Sequence, residues 1–220
     1  MLQLCKVTDS LFISNARSAC NNELLQKESV TLCINVSRQQ PSPPAPVSTL
    51  RVAVYDDPNE DLQAHFDRCA DAILSVEAGG GRTLVYCKNG RSRSATVCMA
   101  FLMKHRSLSL TDAYEMVKSA RSVVEPNPGF WAQLERYEQE LKIRRYVSLI
   151  WRASSTGSAW ESLDALGGVT IRVFAVWQLG DDSVAYLQSQ SFADTYKTLK
   201  HLLRVGSGYW KLYSGADKIS

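Results

Sequence analysis

The chain has 220 residues, 45% of them hydrophobic, enough for one well-filled domain and an appendage. Its net charge is +3, and the lysines and arginines are scattered rather than clustered. That composition points away from a nucleic-acid binder and from a polybasic membrane patch. No run approaches the ~18 apolar residues that span a bilayer. No basic-then-apolar leader opens the sequence, and no glycine follows Met1 for myristoylation. A cytoplasmic or nuclear protein without a membrane partner is expected. The six cysteines (Cys5, Cys20, Cys33, Cys69, Cys87 and Cys98) include no C-x-x-C pair and show no disulfide spacing. Reduced thiols are expected, with no metal and no cofactor.

In chain order, residues 31–36 form the first apolar, β-branched run and read as a strand. Residues 39–46 are too proline-rich for helix or strand and read as an exposed loop. Residues 50–55 predict a second strand. Leu62, Phe66, Cys69, Ala70, Ile73 and Leu74 then share one face at helical spacing. A third strand is expected over 83–86, followed by a breaker-free, buried helix from Ser92 to Arg106. Ser109 and Asp112 make a capping box ahead of Ala113, Met116, Val117 and Ala120. Asn127 caps a last helix with Pro128 at its first position and a stripe of Phe130, Leu134, Tyr137 and Leu141. The sum is an α/β fold, a central mixed sheet flanked by helices on both faces.

Composition changes near residue 145. Residues 1–145 hold every cysteine and proline, whereas 146–220 hold neither but carry four of the five tryptophans. This predicts a domain over 1–145 and an extension over 146–220 of unassigned structure and role. Within the extension, 169–177 suggests a strand. Ser191 and Asp194 open a possible amphipathic helix through Leu203, although such patterns also arise by chance.

The segment Val85-Tyr86-Cys87-Lys88-Asn89-Gly90-Arg91-Ser92-Arg93-Ser94 carries the chemistry. An apolar strand ends at Cys87, a polar loop follows, and a helix begins, with Arg93 six positions beyond the thiol. A loop that opens a helix aims its amides inward, so residues 88–93 suit an anion, with Gly90 allowing the close approach. The same field favours a thiolate, making Cys87 a nucleophile. Arg93 suits bidentate contact with phosphate oxygens, and the Ser94 hydroxyl is placed to stabilise the departing sulfur. A cysteine at a strand's end is more often plain core, and Cys-x-x-x-x-x-Arg alone is a weak signal. The strand, glycine, serine and helix around it make coincidence improbable.

Cys-x-x-Gly-x-x-Arg-Ser after an apolar strand resembles the signature of the protein tyrosine phosphatase superfamily, in its dual-specificity branch. The resemblance covers residues 5–143. Leu11-Phe12-Ile13-Ser14-Asn15-Ala16 looks like the family's N-terminal hairpin, and Leu32-Cys33-Ile34-Asn35-Val36 like its first core strand. Residues 95–103 look like the helix behind the active site. Arg121 and Pro126-Asn127-Pro128-Gly129-Phe130 match the family's late motif. The resemblance implies a protein tyrosine phosphatase-like fold, phosphorylated proteins as partners and a phosphocysteine intermediate. By position it also implies Asp56 as the general acid and base. Asp57, Glu60 and Asp61 read as an ordinary polar turn, with Asp61 a helix cap.

One departure stands out: the family has His before the nucleophile, and this chain has Tyr86. A neutral phenol lacks the cationic option of imidazole, so Tyr86 is expected to weaken Cys87 as a nucleophile. Lys88 and Arg91 are candidates to compensate. A Tyr86→His protein with unchanged Cys87 reactivity and rate refutes that expectation. Lacking the pocket-deepening loop of phosphotyrosine-only relatives, the site is expected to admit phosphoserine and phosphothreonine too. Two other readings stand beside it: a weakly active module that shields phosphorylated partners, and a phosphatase for phosphoinositides or nucleic-acid ends. The oligomeric state is not legible.

Overall fold

The computed structural model describes residues 2–43 and 46–155, together with three strands at 162–164, 170–176 and 184–188. Its first unit spans Met1–Leu141 and its second Lys142–Ser220. The first unit is built on five strands: β1 Cys5–Lys6, β2 Leu11–Asn15, β3 Val30–Asn35, β4 Ser48–Arg51 and β5 Arg82–Cys87. Their order across the sheet is β1-β2-β5-β3-β4. β1 runs antiparallel to β2, while β2, β3 and β4 join the ladder in parallel pairs. The sheet is therefore mixed, as expected.

β5 lies at the centre, and every residue from Thr83 to Cys87 is buried. Burial on both faces is why this strand reads as a continuous apolar run rather than an alternating one. Side-chain alternation still assigns each residue to a face. Val85 and Cys87 join Ile13 and Ile34 in the larger core, packed with α3 (Phe66–Ala78), α4 (Arg93–His105), α5 (Leu110–Ala120) and the start of α6 (Pro128–Ser155). Leu84 and Tyr86 join Phe12 and Cys33 in the smaller core, with residues of two short helices, α1 (Ala16–Ala19) and α2 (Asn22–Lys27).

α4 is the pillar of the larger core: each residue from Arg93 to Met103 is buried. Full burial of side chains such as Phe101, Leu102 and Met103 contributes about 1.5–3 kcal/mol each. α5 and α6 begin at the predicted caps. Ser109 Oγ accepts from the Asp112 amide at 3.1 Å, and Asn127 Oδ1 from the Phe130 amide at 2.9 Å.

The structure departs from the sequence reading at two points. The second predicted strand ends at Arg51, because the backbone beyond it turns toward the site and the Val54 amide bonds to the Val52 carbonyl. α1 and α2 escaped the sequence reading. Each is too short for an apolar period and is signalled only by an asparagine cap, Asn15 on Ser18 and Asn21 on Leu24. His105 is half-buried against Phe101, and its Nε2 lies 2.9 Å from Asp71 Oδ1.

In the second unit, β6 Ser162–Asp164, β7 Thr170–Val176 and β8 Val184–Gln188 form an antiparallel sheet in that order. β7 falls within the predicted strand at 169–177. The suggested helix from Ser191 to Leu203, and His201 with it, lies outside the described residues. Among the described residues no helix is long and apolar enough to cross a membrane.

Candidate active site

Parallel strands collect binding loops at their carboxyl ends. β2, β3 and β5 end at Asn15, Asn35 and Cys87, so the segment after β5 emerges where three strand ends meet. Its shape follows from where its carbonyls go. The Lys88 carbonyl accepts from the Ala16 amide at 3.3 Å, and the Arg91 carbonyl from the Glu125 amide at 2.9 Å. Arg121 takes the two between: its Nη2 donates to the Asn89 carbonyl at 2.9 Å and its Nε to the Gly90 carbonyl at 2.7 Å. The Ser92 carbonyl accepts from Thr96 through both its amide and its hydroxyl.

With the carbonyls of 88–92 tied outward, the amides are left for the concave side. Among the described residues, none of the amides of 88–93 donates to a protein acceptor. Gly90 makes the turn possible. Its φ is +64°, and a Cβ there would lie 2.5 Å from the Ser14 carbonyl oxygen.

Cys87, which opens this loop, has its Sγ 3.3 Å from Ser94 Oγ, with both residues buried. Arg93 is 7% exposed. Its Nη1 donates to the Val54 carbonyl at 3.1 Å, which fixes the plane of the guanidinium. Its Nε is buried without a hydrogen-bond partner and lies 3.7 Å from Asp56 Oδ2. A buried unmet donor is uncommon, and here it belongs to a guanidinium beside a ring of free amides.

Asp56 is brought to the same place and held by one oxygen. Its Oδ1 accepts from Ser92 Oγ at 2.7 Å and from Asn127 Nδ2 at 3.0 Å. The Asn127 amide in turn donates to Ser92 Oγ at 3.1 Å, closing a ring of three residues. The neighbouring acidic residues lie elsewhere. Asp57 Oδ1 accepts from the Asn59 amide in a turn, and Asp61 Oδ1 accepts from the Ala64 amide.

Two cationic side chains stay outside the cradle. The Arg91 guanidinium pairs with Glu125 at the surface, and Lys88 is exposed. Tyr86 points through the opposite face of the sheet into the smaller core, where its hydroxyl donates to the Pro41 carbonyl at 2.6 Å. Burial pushes its phenol well above the ordinary range, so it stays a donor. Burial likewise pushes the Cys33 and Cys69 thiols up to about 12 and raises Cys98, leaving these cysteines protonated and inert.

Asn127, the Val54 carbonyl and Glu125 were not singled out for this role from the sequence, and Arg121 was noted only as part of a motif. A capping asparagine was visible. Its second bond, across to Asp56, was not.

The chain matches the family described as Dual specificity phosphatase, catalytic domain, over residues 11–140. It is 59% identical over 140 residues to Dual specificity phosphatase 28 of Homo sapiens, covering 63% of this chain and 80% of that protein. Dual specificity protein phosphatase 18 of Homo sapiens is 42% identical over 148 residues, covering 67% and 79%. Among solved structures, human DUSP28 superposes with a TM-score of 0.62 at 58% identity, covering 63% of this chain and 95% of that one. A mouse dual specificity phosphatase complexed with zinc tungstate gives 0.65 at 55% identity, covering 66% and 92%.

Proposed function

The chain belongs to the dual specificity phosphatase catalytic-domain family, and on that premise we propose that it dephosphorylates tyrosine and serine or threonine in proteins through a phosphocysteine on Cys87. That it is a protein phosphatase, a hydrolase acting on phosphorylated proteins, follows from the family. The residue roles are the proposal.

The observation that carries it is the loop 88–93 with every internal carbonyl tied outward around the buried Cys87–Ser94 pair. A phosphoryl dianion set there meets the free amides, the α4 N-terminus and the unmet Nε of Arg93. The mouse relative was solved with zinc tungstate, and a tetrahedral oxyanion is the shape such a cradle suits.

Cys87 thiolate attacks phosphorus, forming an S–P bond as the P–O bond to the substrate breaks. Asp56 gives its proton to the departing oxygen, and its carboxylate then takes a proton from the attacking water. The new P–O bond forms as S–P breaks, releasing inorganic phosphate, with Ser94 Oγ donating to the sulfur that leaves. Arg93 follows the equatorial oxygens through both steps.

A second reading has one observation in its favour. Tyr86 supplies no cation near the nucleophile, which suits a slow enzyme or a module that binds and shields phosphorylated partners. Steady-state turnover of an aryl phosphate by wild type and Cys87→Ser separates the two. Loss of turnover in the variant supports the phosphocysteine reading. No turnover by either, with tight phosphopeptide binding by both, supports the shielding module.

A further inference from the structure

Tyr86 is separated from the nucleophile by one peptide bond and by the thickness of the sheet. Its ring packs with Phe12, Cys33 and Leu84, and its hydroxyl reaches the Pro41 carbonyl. That carbonyl belongs to the loop leaving β3, and an unusual number of donors converge on that loop. Asn35 Nδ2 donates to the Gln40 and Pro41 carbonyls at 3.0 and 3.2 Å. Arg51 spreads its two terminal nitrogens over the carbonyls of Ser37, Arg38 and Gln40 and over Ser42 Oγ. Ser37 Oγ donates to Asn35 Oδ1 and accepts from the Gln40 amide. Residues 37–42, with no strand or helix of their own, are thereby given one shape.

What that shape presents is Arg38. Its guanidinium stacks over the Tyr55 ring at 4.8 Å and lies 4.0 Å from a Glu60 carboxylate oxygen. Tyr55 is 48% exposed and directly precedes Asp56, whose Oδ2 is 3.7 Å from Arg93 Nε. Arg38 is therefore stacked on the residue just before Asp56, half exposed and loosely paired. Stacking on an aromatic ring holds a guanidinium in place while leaving its donors free for another acceptor.

Resting on the phosphatase reading, we propose that Arg38 on Tyr55 is a recognition point for an acidic side chain next to the phosphorylated residue, and that Tyr86 is its positioning residue, acting through the 37–42 loop. The residue before the nucleophile thus acts on which substrate is held. A carboxylate arriving at Arg38 takes the place of Glu60, while the phosphoryl group takes the amide cradle.

The test is equilibrium binding to the full chain carrying Cys87→Ser, with paired phosphotyrosine peptides that differ only in Glu against Gln beside the phosphorylated residue. The parent is expected to prefer the Glu peptide by about fivefold, the range of one partly exposed ion pair. Adding Arg38→Gln, a surface change, abolishes that preference. Adding Tyr86→Phe, which keeps the buried ring and removes only the hydroxyl, reduces it and speeds amide exchange across 37–42. A merely structural Tyr86 would weaken both peptides alike and leave their ratio unchanged, which overturns its positioning role. Equal binding of the two peptides by the parent overturns the recognition point. Aryl phosphate turnover by the protein with Cys87 intact is measured alongside. Its absence defeats the catalytic reading and leaves the peptide ratio to decide this one.

Discussion

Asp56 carries two donors on one carboxylate oxygen and none at hydrogen-bond distance on the other. Ser92 and Asn127 fix Oδ1 and leave Oδ2 facing Arg93, so in the proposed mechanism Oδ2 is the oxygen that serves the leaving group. Replacing Asp56 with Asn keeps the acceptor but removes the proton. Turnover of a phosphate with a poor, alkyl-like leaving group should fall about 10²–10⁴-fold, while a nitrophenyl phosphate loses much less. Removing the orienting amide with Asn127→Ala should steepen the same leaving-group dependence to a smaller degree. Equal losses on good and poor leaving groups would reassign Asp56. Cys87, Arg93 and Ser94 were legible in the sequence because one loop and the helix after it hold all three. The Asn127–Asp56 bond spans 71 positions, and the acceptor that orients Arg93 is the Val54 backbone carbonyl, which leaves no mark on residue identity.

At the scale of elements, the loop bearing Asp56 is seated against the first turn of α6. A Cβ on Gly129 would lie 1.9 Å from the Pro58 carbonyl oxygen, with two more Pro58 backbone atoms at 2.5 Å. Backbone meets backbone there, so no side chain can rotate away. Gly129→Ala should displace the 56–60 turn, lower stability by about 1–3 kcal/mol and lower kcat on poor leaving groups beyond any loss on good ones. Denaturant unfolding and the two-substrate assay read these separately, and an unchanged leaving-group ratio refutes the coupling. A second brace joins the turn before β2 to α3 and the end of α4. Glu77 accepts from Arg106 and, at 2.6 Å, from Ser10 Oγ. Arg106, then Ser10, holds its carboxyl below the ordinary value of 4.5. A depressed folded-state pKa adds stability above the unfolded value and loses it as pH falls through the folded one. Glu77→Gln should therefore cost under about 1 kcal/mol at pH 7 after solvent screening. The deficit should shrink as pH falls below 4.5, which unfolding at the two pH values checks. Caps and apolar stripes made α5 and α6 readable, and an unbroken apolar load made α4 so. α1, α2 and the true end of β4 were hidden, since short elements and backbone diverted to a site carry little periodicity.

For the whole molecule, the question is what 146–220 adds to the chemistry. Every group found shaping the cradle lies between Ser14 and Asn127, among them Ala16, Val54, Asp56, Thr96, Arg121, Glu125 and Asn127. The family match ends at residue 140, and the first unit ends at Leu141. The core behind the cradle is closed by Phe130, Leu134, Tyr137 and Leu141, all within that unit. A protein ending at Arg145 keeps each of these residues. Its kcat/KM on an aryl phosphate should stay within about twofold of the full chain, less than ~0.5 kcal/mol of barrier. Its aryl phosphate activity should also keep the same dependence on leaving group, because the Asp56–Ser92–Asn127 ring is intact. A loss of about tenfold or more in a truncated protein that unfolds cooperatively would mean the second unit contributes to the site. The composition break near residue 145 would then mark a boundary in sequence but not in function. Retained activity would instead assign the three-stranded sheet of β6, β7 and β8 a role other than catalysis. Peptide binding measured on both lengths would then be the place to look for that role.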